Sequence, residues 1–353
     1  MSSGGEQARR DRPVRGFVTA EDVARLAGVS RSAVSRTFTP GASVSADVRT
    51  KVQEAAKALG YRVNRLARSL ISDESNLVGV VGSNLSTPFM ARQLDELSRV
   101  LLRNGMQCLL LNAADAEIEV APLIELILEF RVRAIVVMSG SPPSTIIDEC
   151  LANGVRVIMV NRQEDDIATD TVVSDDEGGA RLAAERFLEA GLCRPVVVGS
   201  GARTPTQIRR RNAFLKRMFE AGLEPELWAQ GDTTYESGAQ AARVLLRAAH
   251  RFDCAFGTTD LLALGFLDAA REQGCRVPED ISVIGFDDIP QSSWCAYRLT
   301  TVRQSTDELA KAVWAAVERD GPGAAVSHLH TILPVRLVER ATVRAAASGQ
   351  ERR

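Results

Sequence analysis

Histidines and cysteines, the residues most apt for nucleophilic or metal chemistry, are few in this chain, and His328 and His330 are the one close histidine pair, with no further ligand beside them. The three histidines fall at 250, 328 and 330, no GxSxG elbow is present, and the six cysteines (Cys108, Cys150, Cys193, Cys254, Cys275 and Cys295) include no CxxC. A Ser-His-Asp hydrolase or a zinc site needs tighter groupings than these. The run VVVGSGARTPT places Gly199 and Gly201 after an apolar stretch, but Thr204 stands where a dinucleotide fingerprint needs its third glycine. Neither an enzyme nor a cofactor or metal is expected. What the chain does concentrate is hydroxyls and guanidiniums, in Ser30, Arg31, Ser32, Ser35 and Arg36. With Arg31 and Ser32 at the start of a helix and Ser35 and Arg36 one turn on, Arg31, Ser32 and Arg36 project from an exposed face. An arginine there can pair two N–H groups with guanine in the major groove, and serines contact phosphates. This is the chemistry of reading DNA.

The surrounding residues predict the helices that would hold such a face. Thr19 is placed as an N-cap, with Glu21 and Asp22 in the first turn and an apolar stripe through Val23 and Leu26. Gly28 breaks this helix, and Ser30 caps a second that runs to about Phe38; the small Ala24 and Ala27 let the two cross closely. A third helix, capped by Ser45 and carrying Val48, Val52, Ala55, Ala56 and Leu59, ends at Gly60. Asn64 then introduces a short segment from Arg65 to Leu70. Residues 1–16 are polar and basic, without periodicity, and read as a disordered tail.

The runs DVARLAGVS, AVSR and LGYRVNRLARSL resemble the DNA-binding head and hinge helix of the LacI/GalR family of bacterial transcription repressors. The resemblance implies that Arg31 and Ser32 occupy positions where family members differ in operator choice, that Arg36 makes a common base contact, and that Thr19, Ser30 and Ser35 belong to the DNA-facing surface. It also bears on NRLARSL, which is too short for a stable isolated helix. In the family this segment folds as a pair on DNA and inserts a leucine into the minor groove. Leu70 matches that leucine, Ala67 and Arg68 its neighbours, and Asn64 opens the segment.

Charge divides the chain the same way. The whole carries a net charge of -2, yet residues 1–72 hold 13 Lys/Arg against 6 Asp/Glu, so the positive field sits on the head. No apolar run reaches the roughly twenty residues of a membrane span, and the basic start lacks the apolar stretch of a secretory signal. A cytoplasmic protein with reduced cysteines is expected. From Leu77 onward strand and helix patterns alternate: LVGVVG, a helix over about 88–104, MQCLLL, a helix near 118–130, AIVVM, a helix after Pro143 and VRVIMV form one half. A helix over about 176–190, PVVVG, helices over 206–221 and 236–249, CAFG, a helix over 260–273 and ISVIGF form a second. The fold class is therefore a helix-turn-helix head plus α/β, with two doubly wound parallel-sheet subdomains and a ligand cleft between them.

VPEDISVIGFDD, LTTVRQ and LPVRLVER extend the resemblance to the family's effector-binding core, which is related to periplasmic sugar-binding proteins. It implies three crossings between subdomains. The expected organisation is a head over 17–63, a hinge and linker over 64–75, a body over 76–342 and a flexible tail over 343–353. Within the body the first subdomain spans about 76–174 and 306–333, the second about 176–303 and 336–342. Carried residue by residue, the resemblance points to Ser86, Thr87, Phe89, Asn161, Arg162, Arg210, Phe214, Asp260 and Asp287 as effector-binding, with Asp287 and Arg210 as the acidic and basic contacts. Three positions depart from the family pattern: Asn161 replaces the usual Asp, Thr259 a frequent Asn, and Ala213 the Gly before the aromatic. The loss of an acid at Asn161, beside Arg162 and Arg210, points to an anionic ligand such as a sugar acid or sugar phosphate. The resulting expectation is a homodimeric repressor that binds a palindromic operator in double-stranded DNA under control of a sugar or sugar acid, with no membrane partner. The tail ATVRAAASGQERR has no leucine heptads, so no coiled-coil tetramer is expected. A small-molecule carrier of periplasmic-binding fold is the alternative, and it has no use for residues 19–70.

Overall fold

The computed structural model describes residues 18–39, 41–63, 75–113, 120–138, 140–162, 169–202, 204–247, 252–319 and 328–346. The basic tail and the hinge residues Asn64, Ala67, Arg68 and Leu70 lie outside the described residues. Two compact units are present, one ending at residue 74 and one beginning at Ser75.

The first unit holds α1 (Ala20–Ala27), α2 (Arg31–Phe38) and α3 (Ala46–Leu59). Thr19 closes a capping box on α1: Asp22 N–H donates to Thr19 Oγ1 at 3.3 Å, and Thr19 N–H donates to Asp22 Oδ2 at 3.0 Å. Gly28 and Gly60 end α1 and α3 in the left-handed conformation that a side chain would resist. Val23, Ala24, Val34, Val52, Ala55 and Ala56 form the core. Leu26 is not part of it, being 56% exposed. The buried stripe of this eight-residue helix runs through Val23, Ala24 and Ala27, and Leu26 falls off its flank.

The second unit contains two six-stranded sheets. The first orders β11-β5-β4-β3-β1-β2 and the second β12-β10-β9-β8-β6-β7. In chain order the elements are β1 (Leu77–Gly82), α4 (Pro88–Arg103), β2 (Gln107–Asn112), α5 (Val120–Leu128), β3 (Ala134–Val137), α6 (Ser144–Ala152), β4 (Arg156–Val160) and β5 (Asp170–Ser174). Then come α7 (Asp176–Glu189), β6 (Pro195–Gly199), α8 (Pro205–Glu220), β7 (Glu226–Ala229), α9 (Tyr235–Leu245), β8 (Cys254–Gly257), α10 (Asp260–Glu272), β9 (Ser282–Asp287) and β10 (Thr300–Arg303). Helix α11 (Thr306–Glu318) and strand β11 (His330–Leu333) return to the first sheet, and β12 (Arg336–Val338) ends in the second.

The chain thus crosses between the sheets three times, after Ser174, after Arg303 and after Leu333. The inner strands of both sheets, such as β3, β6, β8 and β9, are buried on two faces, which is why they read as continuous apolar runs, whereas the edge strands β2, β7, β11 and β12 are partly exposed. Val196 and Val198 pack against α9 and α10, whereas Val197 packs against α7 and α8. Two features differ from the sequence reading. The short β7 was not foreseen, and β12 pairs antiparallel with β10, so the second sheet is mixed. The packed body also runs beyond 342, where the flexible tail was expected to begin. Val343 is buried against α7 and β9 neighbours, and Arg344 N–H donates to Ser282 Oγ.

Helices α9 and α10 meet through glycines. A Cβ on Gly265 would lie 1.8 Å from the Tyr235 carbonyl oxygen, and one on Gly238 would lie 2.0 Å from that of Leu262. Because the obstacle is backbone, Gly265→Ala is expected to force the helices apart at a cost of about 1–3 kcal/mol. Thermal unfolding checks this, and an unchanged melting temperature would contradict the packing described.

Candidate functional site

Two surfaces carry the polar chemistry. On the first unit, Arg31, Ser32, Ser35 and Arg36 are exposed along α2, while Val34 and Thr37 are buried on its opposite side. Ser30 caps the helix by accepting from Ala33 N–H at 3.2 Å, and its hydroxyl is 2.9 Å from that of Ser32. Arg36 Nε leans back on the Ser32 carbonyl at a long 3.4 Å, so its guanidinium is directed without being used up. Arg49 on α3 donates to the Thr37 carbonyl at 3.2 Å and fixes the end of α2. Thr19 is exposed, but its hydroxyl serves the cap of α1, where it also donates to Asp22 Oδ2 at 2.7 Å.

On the second unit, the carboxyl ends of the strands converge. Each sheet has a switch point, between β1 and β3 in the first and between β6 and β8 in the second. The chain bends sharply there: Asn84 after β1, Asn161 after β4, and Asp287 and Asp288 at the end of β9 all have positive φ, that of Asp287 being 118°. Such conformations are costly for residues other than glycine and collect at binding sites.

At the centre is a buried ion cluster. Asp176, the first residue of α7 and 3% exposed, receives Arg210 Nε on Oδ1 at 2.7 Å and Arg209 Nη2 on Oδ2 at 2.8 Å. Arg210 Nη1 also donates to Asp287 Oδ1 and to the Thr258 carbonyl, each at 3.0 Å, and the guanidinium lies 3.8 Å above the Phe286 ring. Asp287 Oδ1 accepts a further bond from Gln304 Nε2 at 2.7 Å. Among the described residues, the cluster leaves over Asp287 Oδ2 and Arg210 Nη2. Neither is a buried orphan, so both remain open to a ligand. Burial first, and against it the Arg210 charge, set the Asp287 carboxyl, which is pushed up to about 6.

Other expected residues occupy different places. Ser86 is exposed and Thr87 half-buried at the N-cap of α4, its hydroxyl donating to the Asn84 carbonyl at 2.9 Å. Phe89 is in the first subdomain yet packs on the core of the second. Asn161 exchanges two amide bonds with buried Gln93, at 3.1 and 3.3 Å, and Arg162 follows it, half-buried. Two residues are corrected by the structure. Phe214 is fully buried, stacked at 4.6 Å on Phe256 and edge-on to Phe187, one turn deeper along α8 than Arg210; it supports the site from below. Asp260 is also fully buried. It accepts from Ile289 N–H at 2.9 Å, from Ser292 Oγ at 2.6 Å and from Thr301 Oγ1, and so ties the loop after β9 to β10. Its carboxyl is pushed up to about 8, by burial and then by the neighbouring Asp287 charge.

Several residues of the cleft were missed in the sequence. Asp176 follows an apolar strand and opens a helix, a position that could have been noticed. Arg209 is one of three consecutive arginines, and residue type alone does not say which of them turns inward. Ser200, Gln207, Thr233 and Thr258 form a hydroxyl and amide network at the second switch point, with bonds of 2.8–3.1 Å; no motif marks them.

Comparison with known proteins gives the following. The description "Bacterial regulatory proteins, lacI family" matches residues 19–64, and "Periplasmic binding protein-like domain" matches residues 184–343. The chain is 31% identical to the HTH-type transcriptional regulator GalS of Salmonella typhimurium, over 93% of this chain and 97% of that protein. It is 30% identical to the HTH-type transcriptional repressor PurR of Erwinia tasmaniensis, over 84% of this chain and 88% of that one. Among solved structures, the lac repressor dimer bound to operator and the anti-inducer ONPF is similar at TM-score 0.84 and 26% identity, covering 94% of this chain and all of that one. The transcriptional regulator CelR–cellobiose complex is similar at TM-score 0.66 and 28% identity, covering 92% of this chain and 99% of that one.

The buried charges imply two measurable outcomes. Asp176→Ala strands the guanidinium of Arg210 with a single carboxylate, and is expected to cost about 3–5 kcal/mol in denaturant unfolding. A loss below 1 kcal/mol would mean that the cluster is not tightly held. Asp260 binds its proton more tightly folded than unfolded, so it removes stability as the pH rises from its ordinary 3.8 to about 8. The melting temperature of the wild type minus that of Asp260→Asn should therefore fall across this window. A constant difference would show that Asp260 titrates normally.

Proposed function

The chain belongs to the lacI family of bacterial regulatory proteins, DNA-binding transcriptional repressors with a ligand-binding domain, and from that premise we propose that it acts as a cytoplasmic homodimer on a palindromic operator, its affinity set by a small metabolite in the cleft of the second unit. The observation that supports this reading is the buried cluster of Asp176, Arg210 and Asp287 beside the strand ends of the second sheet, which Arg209 joins to the Asn161 carbonyl of the first subdomain.

In this reading Arg31, Ser32 and Arg36 meet base edges and the neighbouring serines meet phosphates. Two copies are required because a single eight-residue helix makes few base contacts, whereas a two-fold pair doubles them and sets the half-site spacing. The lac repressor is named as a dimer on operator, which supports the same arrangement for this chain. On the effector side, this reading takes Ser86, Thr87, Asn161 and Arg162 from the first subdomain together with Arg210 and Asp287 from the second as the effector-binding set. A polyhydroxylated ligand fits such a set: Asp287 accepts from hydroxyls, while Arg210 and the amide of Asn161 donate to oxygens. The cellobiose complex of CelR supports a sugar-type effector.

The coupling follows from contacts that span the cleft. Arg92 Nη1 on α4 reaches the Asp288 carbonyl at 3.5 Å, Arg209 Nη2 reaches the Asn161 carbonyl at 3.4 Å, and Phe89 packs on the opposite core. A ligand that prefers one setting of these contacts shifts the population of subdomain orientations, and operator affinity with it.

A gel shift of the full chain against the DNA flanking its own gene, with and without a panel of sugars and sugar acids, tests the proposal. A specific shift altered by one compound is expected; failure to bind any flanking fragment would refute it. Arg31→Ala and Arg36→Ala should each weaken operator binding by about 1–3 kcal/mol and relax base preference, with effector binding unchanged. Wild-type affinity in both variants would remove α2 from the reading surface.

A further inference from the structure

We propose that Arg209 is the residue through which the cleft reads an anionic group on its effector, a carboxylate or phosphate that takes the place of the Asn161 carbonyl. This rests on the cleft being the effector site. The sequence points to Arg162 and Arg210 for this role, yet the geometry points to Arg209. Arg210 is held by Asp176, Asp287 and the Thr258 carbonyl, lies on Phe286, and has only 5% of its side chain exposed. Arg209 has 26% of its side chain exposed. Its Nε and Nη2 both donate to Asp176 Oδ2, at 3.2 and 2.8 Å, which fixes the plane of the guanidinium. Its remaining contact is the long 3.4 Å bond from Nη2 to the Asn161 carbonyl across the cleft. Among the described residues Nη1 has no protein partner and is not buried. The Nη1–Nη2 edge is thus a pre-oriented fork facing the first subdomain, and such an edge matches a carboxylate or phosphate with two parallel bonds.

The charge around the fork favours the same ligand. Asp176 and Asp287 offset Arg209 and Arg210, but Asp288 is shared by Arg303 and Arg340, and Arg92 reaches in from α4. Among these groups five guanidiniums stand against three carboxylates, a surplus of positive charge. A neutral sugar would leave that charge uncompensated, whereas an anion of monosaccharide size neutralises part of it. By replacing the Asn161 carbonyl as the partner of Arg209, the anion would also exchange one cross-cleft bond for a bridge through the ligand. Binding and subdomain setting are linked at the same atom.

The test uses full-length wild type, Arg209→Gln and Arg209→Lys, each titrated calorimetrically with matched pairs: D-glucuronate and D-glucose, D-galacturonate and D-galactose, D-glucose 6-phosphate and D-glucose, D-ribose 5-phosphate and D-ribose. In the wild type one acidic member should bind more tightly than its neutral partner. Arg209→Gln should weaken that acid by about 10- to 100-fold and abolish the preference, leaving the neutral partner unchanged. Arg209→Lys should retain part of the preference, since it keeps the charge and loses the fork. A merely structural role would weaken acid and neutral members equally, and that result overturns the proposal. So does an acid whose affinity survives Arg209→Gln, a wild type that binds only neutral sugars, or a wild type that binds no member of any pair. Failure of the cleft reading is distinguishable, because binding would then also survive Asp287→Asn.

Discussion

Asp176 stands where the chain first leaves one sheet for the other, two residues beyond the end of β5, and its two oxygens are gripped by two guanidiniums from α8. A carboxylate this deeply buried is tolerable only with such partners, because desolvation would otherwise drive it neutral. The partners in turn need partners. Arg210 is completed by Asp287 at the end of β9, and Asp287 by Gln304 in the second crossing. Two of the three passages between subdomains are therefore joined through one chain of charge-assisted bonds, and Asp287, at its middle, has a positive φ.

Around that cluster the body is built to be stiff within each half and adjustable between them. Each sheet is covered on both faces by helices, and α9 and α10 approach so closely that only glycine fits at their crossing. Asp260 contributes to the same stiffness: its three acceptor bonds hold the loop after β9 against β10, in a space that Gly285 leaves open. Among the described residues, the contacts traced across the cleft from Arg92, Arg209 and Phe89 are two long single bonds and one aromatic side chain. That contrast is what a ligand-driven change of orientation needs, since packed cores move as bodies and the weak seam between them yields.

Much of this was legible in the residues. Caps, apolar runs and glycine stops placed the three head helices and nearly every strand, because short-range physics decides those features. The third-strand returns through β11 and β12 came only with the family resemblance, as no local pattern encodes which sheet a late strand joins. In the cleft, Arg210 and Asp287 meet in one ion cluster, whereas Phe214 and Asp260, expected as effector contacts, are fully buried and support the site from within. Both errors have one cause: a residue one helical turn from a ligand group shares its periodicity, and only the depth of the sheet tells lining from foundation. Arg209 was overlooked for the converse reason, lying in a run of three arginines whose directions depend on where Asp176 sits. Leu26 shows the same limit on a smaller scale, an apolar residue displaced by a fraction of a turn from the buried stripe.

The late strands have a consequence for how the molecule is made. β11 completes the first sheet and β12 the second, and beyond β12 the Thr342 hydroxyl accepts from Thr300 N–H and donates to the Val283 carbonyl deep in the second half. Neither half is continuous in the chain, so a ribosome that has synthesised the chain only as far as residue 329 holds two sheets that each lack an edge. The contacts that finish them span much of the polypeptide, which favours slow closure and a period of exposed edges. The head, local in all its contacts, is under no such delay. A nascent chain would thus carry a finished reading helix well before it had a finished cleft to govern it.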